Sequence, residues 1–154
     1  MDQTYDAPSR PRPQGNGPAP GGPQPHSFDA ERAVLGALLL SERAMYTLII
    51  EEGLRPDDFY SQRHRHVFRA MRALYDAGEP FDRLTVKDWL EQHGALEDAG
   101  GDATLDELGG PITAAGNVRQ YARIVRDHSL MRGLLRATTD IQVAVGERRS
   151  TPRE

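Results

Sequence analysis

The chain contains no cysteine, one lysine and one tryptophan among 154 residues. The missing cysteine excludes disulfides, thiol nucleophiles and cysteine-ligated zinc. Long apolar runs are missing too. No segment approaches the ~18 consecutive apolar residues of a membrane span, and no apolar stretch follows a basic start, so neither insertion nor export is indicated and a cytoplasmic setting is expected. With Lys87 as the sole lysine, inside a short acidic segment, no G-x-x-x-x-G-K-[ST] phosphate loop exists. There is no G-x-S-x-G serine elbow.

Proline and glycine are abundant but unevenly placed. Seven of the eleven prolines and four of the fifteen glycines fall in residues 1–26, "MDQTYDAPSRPRPQGNGPAPGGPQPH". That stretch holds almost no large apolar side chain to offset the entropy of ordering it, and a disordered tail is expected there. Charge is uneven as well. From Phe28 to Leu108 there are 17 Asp and Glu against 9 Lys and Arg, a balance of −8, whereas from Pro111 onward 8 Arg face 4 acids, a balance of +4. An anionic partner would therefore meet the end of the chain; a dipolar surface that only aids solubility explains the same numbers.

What remains is helical throughout. "SFDAERAVLGALLLS" offers Ser27 or Asp29 as N-cap, first-turn acids, and a buried apolar run to about Leu40, with Gly36 in mid-helix for close approach of a neighbour. "ERAMYTLIIEEG" predicts a short helix ended by Gly53, and Pro56 makes "LRPDDFY" a turn. Between about Ser61 and Ala77, Val67, Met71 and Leu74, joined by Phe68 and Tyr75, form one apolar stripe at spacings of three and four. Thr85 and Asp88 have the spacing of a capping box opening a two-turn helix that closes on Gly94. "ATLDELGG" supports another brief helix. The longest element runs from near Ala114 to about Val145, roughly 45 Å at 1.5 Å per residue. Val118, Tyr121, Ala122 and Val125 form its first apolar stripe, expected on the body. Leu130, Leu134, Ala137, Ile141 and Val145 form a second, which wants a partner chain. Gly133 and the Thr138-Thr139 pair offer a bend or an early end. The expected fold class is all-α: a compact bundle of about six helices in all, made of a helical body over 27–110 and a long C-terminal helix within 111–147, with disordered ends at 1–26 and 148–154.

The residues that invite chemistry do not assemble into a catalytic set. His64 and His66, two apart on a helix, point about 200° from one another and cannot share a metal ion. Asp57-Asp58 after Pro56 is turn composition, and Glu51-Glu52 is a helix end. No catalytic residue, metal ligand or cofactor site is expected, and no small-molecule substrate. Two arginine sets remain: Arg63, Arg65, Arg69 and Arg72 on the third helix, and Arg119, Arg123 and Arg126 at i, i+4, i+7 on the last, where they line phosphates or form a salt-bridged face.

Read in order, "AERAVLGALLL", "DDFYSQRHRHVFRAM", "GEPFDRLTV", "GALEDAGG" and "AAGNVRQYARIVRDHSLMRGLLRA" resemble the N-terminal domain of DnaB-type replicative DNA helicases. The resemblance covers about residues 27 to 146. Its motif positions here are Leu35, Gly36, Phe59, Tyr60, His64, Phe68, Asp82, Thr85, Asn117 and Tyr121. It implies a helical globule with Phe59, Tyr60, Val67 and Phe68 in its core. In the family this domain pairs with a neighbour through a long helical hairpin, forms a collar on a hexameric motor and receives primase. The implied role is an interaction and oligomerisation module of DNA replication, without helicase activity of its own, because the resemblance does not extend to the ATPase motor. The implied partners are a second copy, the replicative helicase and primase, with no membrane and only indirect contact with DNA; Leu130, Leu134 and Ile141 are the expected contact residues. A small helical DNA-binding protein using Arg119, Arg123 and Arg126 is the alternative. One departure stands out: "PITAAGNVRQY" carries one residue more than the usual pattern before Asn117, which bears on where the last helix starts.

Overall fold

The computed structural model of the chain describes residues 23–110 and 117–150. Among them there are six α-helices and no strand: α1 (Phe28–Leu40), α2 (Ala44–Tyr46), α3 (Gln62–Asp76), α4 (Arg83–Gln92), α5 (Gly101–Leu108) and α6 (Val118–Ser150). The expected all-α class holds. Residues 1–22 of the proline-rich tail, the segment 111–116 with the expected start of the last helix, and 151–154 lie outside the described residues.

Ser27 opens α1, its hydroxyl accepting from the Ala30 N–H, which satisfies one of the donors a helix start leaves over. The helix then buries Val34, Leu35, Gly36, Ala37 and Leu38 in succession, more than one face, because it runs through the middle of the body. The helix expected over "ERAMYTLIIEEG" is only partly α. After Tyr46 it widens into a π-helical turn, Thr47–Glu51, before Gly53 reverses the chain at φ 65°. A 3₁₀ turn at Pro56–Asp58 follows.

Helix α3 starts on Ser61 and buries Val67, Phe68, Ala70, Met71 and Leu74, the stripe read from its periodicity, with Tyr75 packed at the edge. Phe59 packs against Phe68, the rings tilted by 36° with centroids 5.0 Å apart, in a core that also holds Leu35, Leu38, Met45, Leu48, Leu54 and Leu90.

The capping box of α4 lies one turn earlier than the spacing of Thr85 and Asp88 suggested. Asp82 is the N-cap: its carboxylate accepts from the Thr85 N–H at 2.9 Å while the Thr85 hydroxyl accepts from the Asp82 N–H at 2.8 Å. Arg83 and Leu84 therefore belong to the helix, and Asp88 instead accepts from the Gln92 side chain at 2.7 Å. Both residues of this reciprocal cap belong to the motif set named above.

The last helix is unbroken from Val118 to Ser150. Neither Gly133 nor the threonine pair ends it, because both threonine hydroxyls bond back to the Leu135 carbonyl, at 2.8 and 3.0 Å, without displacing the helix.

Candidate interaction surface on the last helix

Helix α6 divides in two. Its first half lies on α1, the π turn and the 3₁₀ turn, burying Ala122 and Val125 with Val118 and Tyr121 partly buried beside them. Its second half leaves the body. Every residue from 136 to 149 is exposed. Leu130 (56% exposed), Leu134 (68%) and Ile141 (62%) are the most open large apolar residues of that surface, and Val143 and Val145 extend it. Asn117, at the foot of the helix, is also exposed.

The first half is also fixed by polar contacts. The wide π turn carries Glu51 and Glu52 to the flank of α6, where three arginines meet them. Arg119 pairs with Glu51 and reaches Glu52 at 3.5 Å; Arg123 binds both Glu52 oxygens, at 3.1 and 3.3 Å; Arg126 donates to the Glu52 carbonyl at 2.5 Å. The Arg123 guanidinium is accordingly held above its ordinary pKa, first by its hydrogen bond to Glu52 and then by that carboxylate's charge. A Cβ on Gly53 would stand 2.9 Å from the Arg126 guanidinium, so the absence of a side chain there keeps this approach open. Further along, Ser129 donates to an Asp58 oxygen at 2.8 Å.

The α3 arginines are engaged locally rather than as one stripe. Arg65 donates to the Phe59 carbonyl, Arg69 lies 3.7 Å from Asp57, and Arg72 pairs with Asp76 one turn on. Arg63 is exposed.

Two charged residues that the sequence did not single out join the elements at the corner where α6 leaves the body. Glu31 is only 2% exposed; its carboxylate accepts from the Ser61 N–H at 3.2 Å and lies 3.5 Å from Nδ1 of His64. His64 is thus the buried histidine of the pair, packed between α1 and α3, while His66 is half-buried. No group of three or more His, Asp or Glu able to hold a metal ion occurs among the described residues. Arg132, 7% exposed, donates to the carbonyls of Asp58 and Pro25. Tyr60, expected in the core, is half-buried instead. It stacks on His26 at 4.4 Å and carries the Arg132 guanidinium 5.4 Å from its ring centroid, since its neighbours are polar on one side. Glu31 looked like an ordinary first-turn acid and Arg132 like one more helical arginine; the only hint of the latter was its place seven residues beyond Val125, two turns along the stripe expected on the body.

The surface thus belongs to an all-α body built around Phe59 and Phe68, with a long helix running out from it. The DnaB-like helicase N terminal domain family matches residues 23–127. The chain is 39% identical over 117 residues to the replicative DNA helicase DnaC of Bacillus subtilis, covering 76% of this chain and 25% of that protein. It is 43% identical over 117 residues to the replicative DNA helicase DnaB of Geobacillus stearothermophilus, with the same coverage. Among solved structures, the N-terminal domain of DnaB helicase from Mycobacterium tuberculosis superimposes with a TM-score of 0.76 at 36% identity, over 84% of this chain and 91% of that one. A DnaB-like replicative helicase described with its primase interactions shares the fold, with a TM-score of 0.62 at 24% identity over 76% of this chain and 27% of that one. The chain belongs to the DnaB-like helicase N-terminal domain family. It spans about a quarter of the length of the curated relatives it matches. Among the described residues no helix is long and apolar enough to cross a membrane.

Proposed function

We propose that this chain is a protein-interaction and oligomerisation module of the replication machinery, acting in the cytoplasm through helix α6, with a second copy, a replicative helicase and its primase as partners and no motor activity of its own. The observation that carries the reading is the uncovered half of α6. An isolated helix shorter than ~12–15 residues is marginal in water, yet every residue from 136 to 149 is helical and exposed. Leu130, Leu134, Ala137, Ile141 and Val145 recur along it every three or four residues, the pattern of a seam that a second helix fills. Direct DNA binding through Arg119, Arg123 and Arg126 finds no comparable support, because all three are engaged by Glu51 and Glu52 within the chain.

Light scattering on the purified chain, alone and mixed with the full-length replicative helicase and the primase of the same organism, tests the proposal. A dimer or larger species, insensitive to salt and shifted to monomer by Leu134→Asp with Ile141→Asp, is the expected result. Burying one leucine is worth about 1.5–3 kcal/mol, so the pair should weaken association at least a hundredfold. A monomer that binds neither protein at high concentration rejects the reading.

A further inference from the structure

Arg132 is the last deeply buried residue of α6 before the helix projects into solvent, and it is an unusual anchor. Among the described residues its guanidinium makes no close carboxylate pair. One arm, Nη2, donates to the Asp58 carbonyl at 2.7 Å; the other, Nη1, donates to the Pro25 carbonyl at 2.8 Å. Half of its hydrogen bonding therefore comes from the segment that enters α1, 107 residues away in the chain. The same segment is held a second time. His26 stacks on Tyr60 with the rings 15° from parallel, its Nδ1 2.6 Å from the Gln24 carbonyl, and Tyr60 is the ring over which Arg132 lies. Phe28 closes the cluster at 4.5 Å from His26.

We propose that Pro25–His26 is a clasp that closes on Arg132 and Tyr60, so that the segment 23–26 and the projecting half of α6 are conformationally coupled. With the clasp closed, a buried cation has acceptors on two elements and an aromatic face beside it. With the clasp open, Nη1 loses its acceptor, and a buried charged donor without a partner is costly enough that the guanidinium turns toward water. That movement frees α6 at the point where it leaves the body. Burial already disfavours the charged form of Arg132, with Glu31 and Asp58 opposing that effect and Arg65 and Arg136 adding to it, so this anchor depends on its neighbours more than the half-exposed Arg119 and Arg123 do. By linkage the coupling runs both ways: a protein that draws residues 23–26 away loosens the projecting half of α6, and one that seizes that half loosens residues 23–26.

Amide hydrogen exchange on the full chain tests it, read at residues 129–136 and, as an internal reference, across α3. His26→Ala removes the stack from a half-buried position and is expected to speed exchange at 129–136 roughly tenfold, the weight of one hydrogen bond to a charged group, with α3 unchanged. Arg132→Met should do the same, and the double variant should be no faster than Arg132→Met alone, because the two changes open one clasp. Unchanged exchange at 129–136 in His26→Ala overturns the proposal, as do accelerations that multiply in the double variant or spread equally over α3. Should Arg132→Met fail to fold, His26→Ala decides alone.

Discussion

Asp82 caps α4 from an exposed position, and its carboxyl is held below its ordinary pKa of 3.8, first by the backbone N–H of Thr85; desolvation opposes this, and the Thr85 hydroxyl and the Leu84 N–H add to the lowering. A carboxyl lowered on folding stabilises the native state above its unfolded pKa and loses that contribution as pH falls through the folded value. Asp82→Ala should cost about 1 kcal/mol near neutrality, the weight of an N-cap. Asp82→Asn, itself a good cap, should keep most of that stability and flatten its decline between about pH 5 and pH 3. Urea denaturation of both variants across that range checks this; an equally steep decline in Asp82→Asn would assign the acid sensitivity elsewhere. Asp82 and Thr85 were both in view from the sequence. Their partnership was missed because Thr85-x-x-Asp88 offers the same spacing as Asp82-x-x-Thr85, and only the backbone conformation of Asp82, φ −141°, says where the helix begins.

For the elements, the periodic ones were readable and the irregular ones were not. Helix α3 shows its core stripe because burial on one face imposes a 3.6-residue period. The π turn at Thr47–Glu51 has no such signature, since one extra residue in a turn shifts the backbone without altering the apolar count. Helix α6 sits between these cases. Its two apolar stripes were visible, and its continuity through Gly133 was not. A Cβ at Gly133 would meet nothing within 4 Å, so Gly133→Ala should gain up to about 1 kcal/mol by restricting the unfolded chain and favouring the helix. Urea denaturation measures it, and a loss of stability would mean that the glycine serves a bend or a contact absent from the isolated chain.

On the scale of the molecule, the acidic body and basic C-terminal segment partly answer one another inside the chain, through Glu51 and Glu52 against Arg119 and Arg123. These side chains are largely exposed apart from Glu52, so their contribution is screened by salt. Glu52→Gln should lower the urea midpoint at low ionic strength and leave it near wild type in molar salt. A deficit that persists in molar salt would show that Glu52 acts through packing and its hydrogen bonds rather than through its charge.

The sequence by itself determined the all-α class, the places of most of the helices, the α3 core and the family, because each depends on residues within a few positions of one another or on a long run of ordered motifs. The tertiary structure decided which charges are buried. Glu31 goes inside because Ser61 and His64, thirty residues on and more, arrive with a donor and a ring. Arg132 goes inside because Pro25 and Asp58 bring carbonyls from two other elements. A side chain's cost of burial depends on partners that packing supplies, and local sequence carries no record of residues that meet it from the far end of the chain.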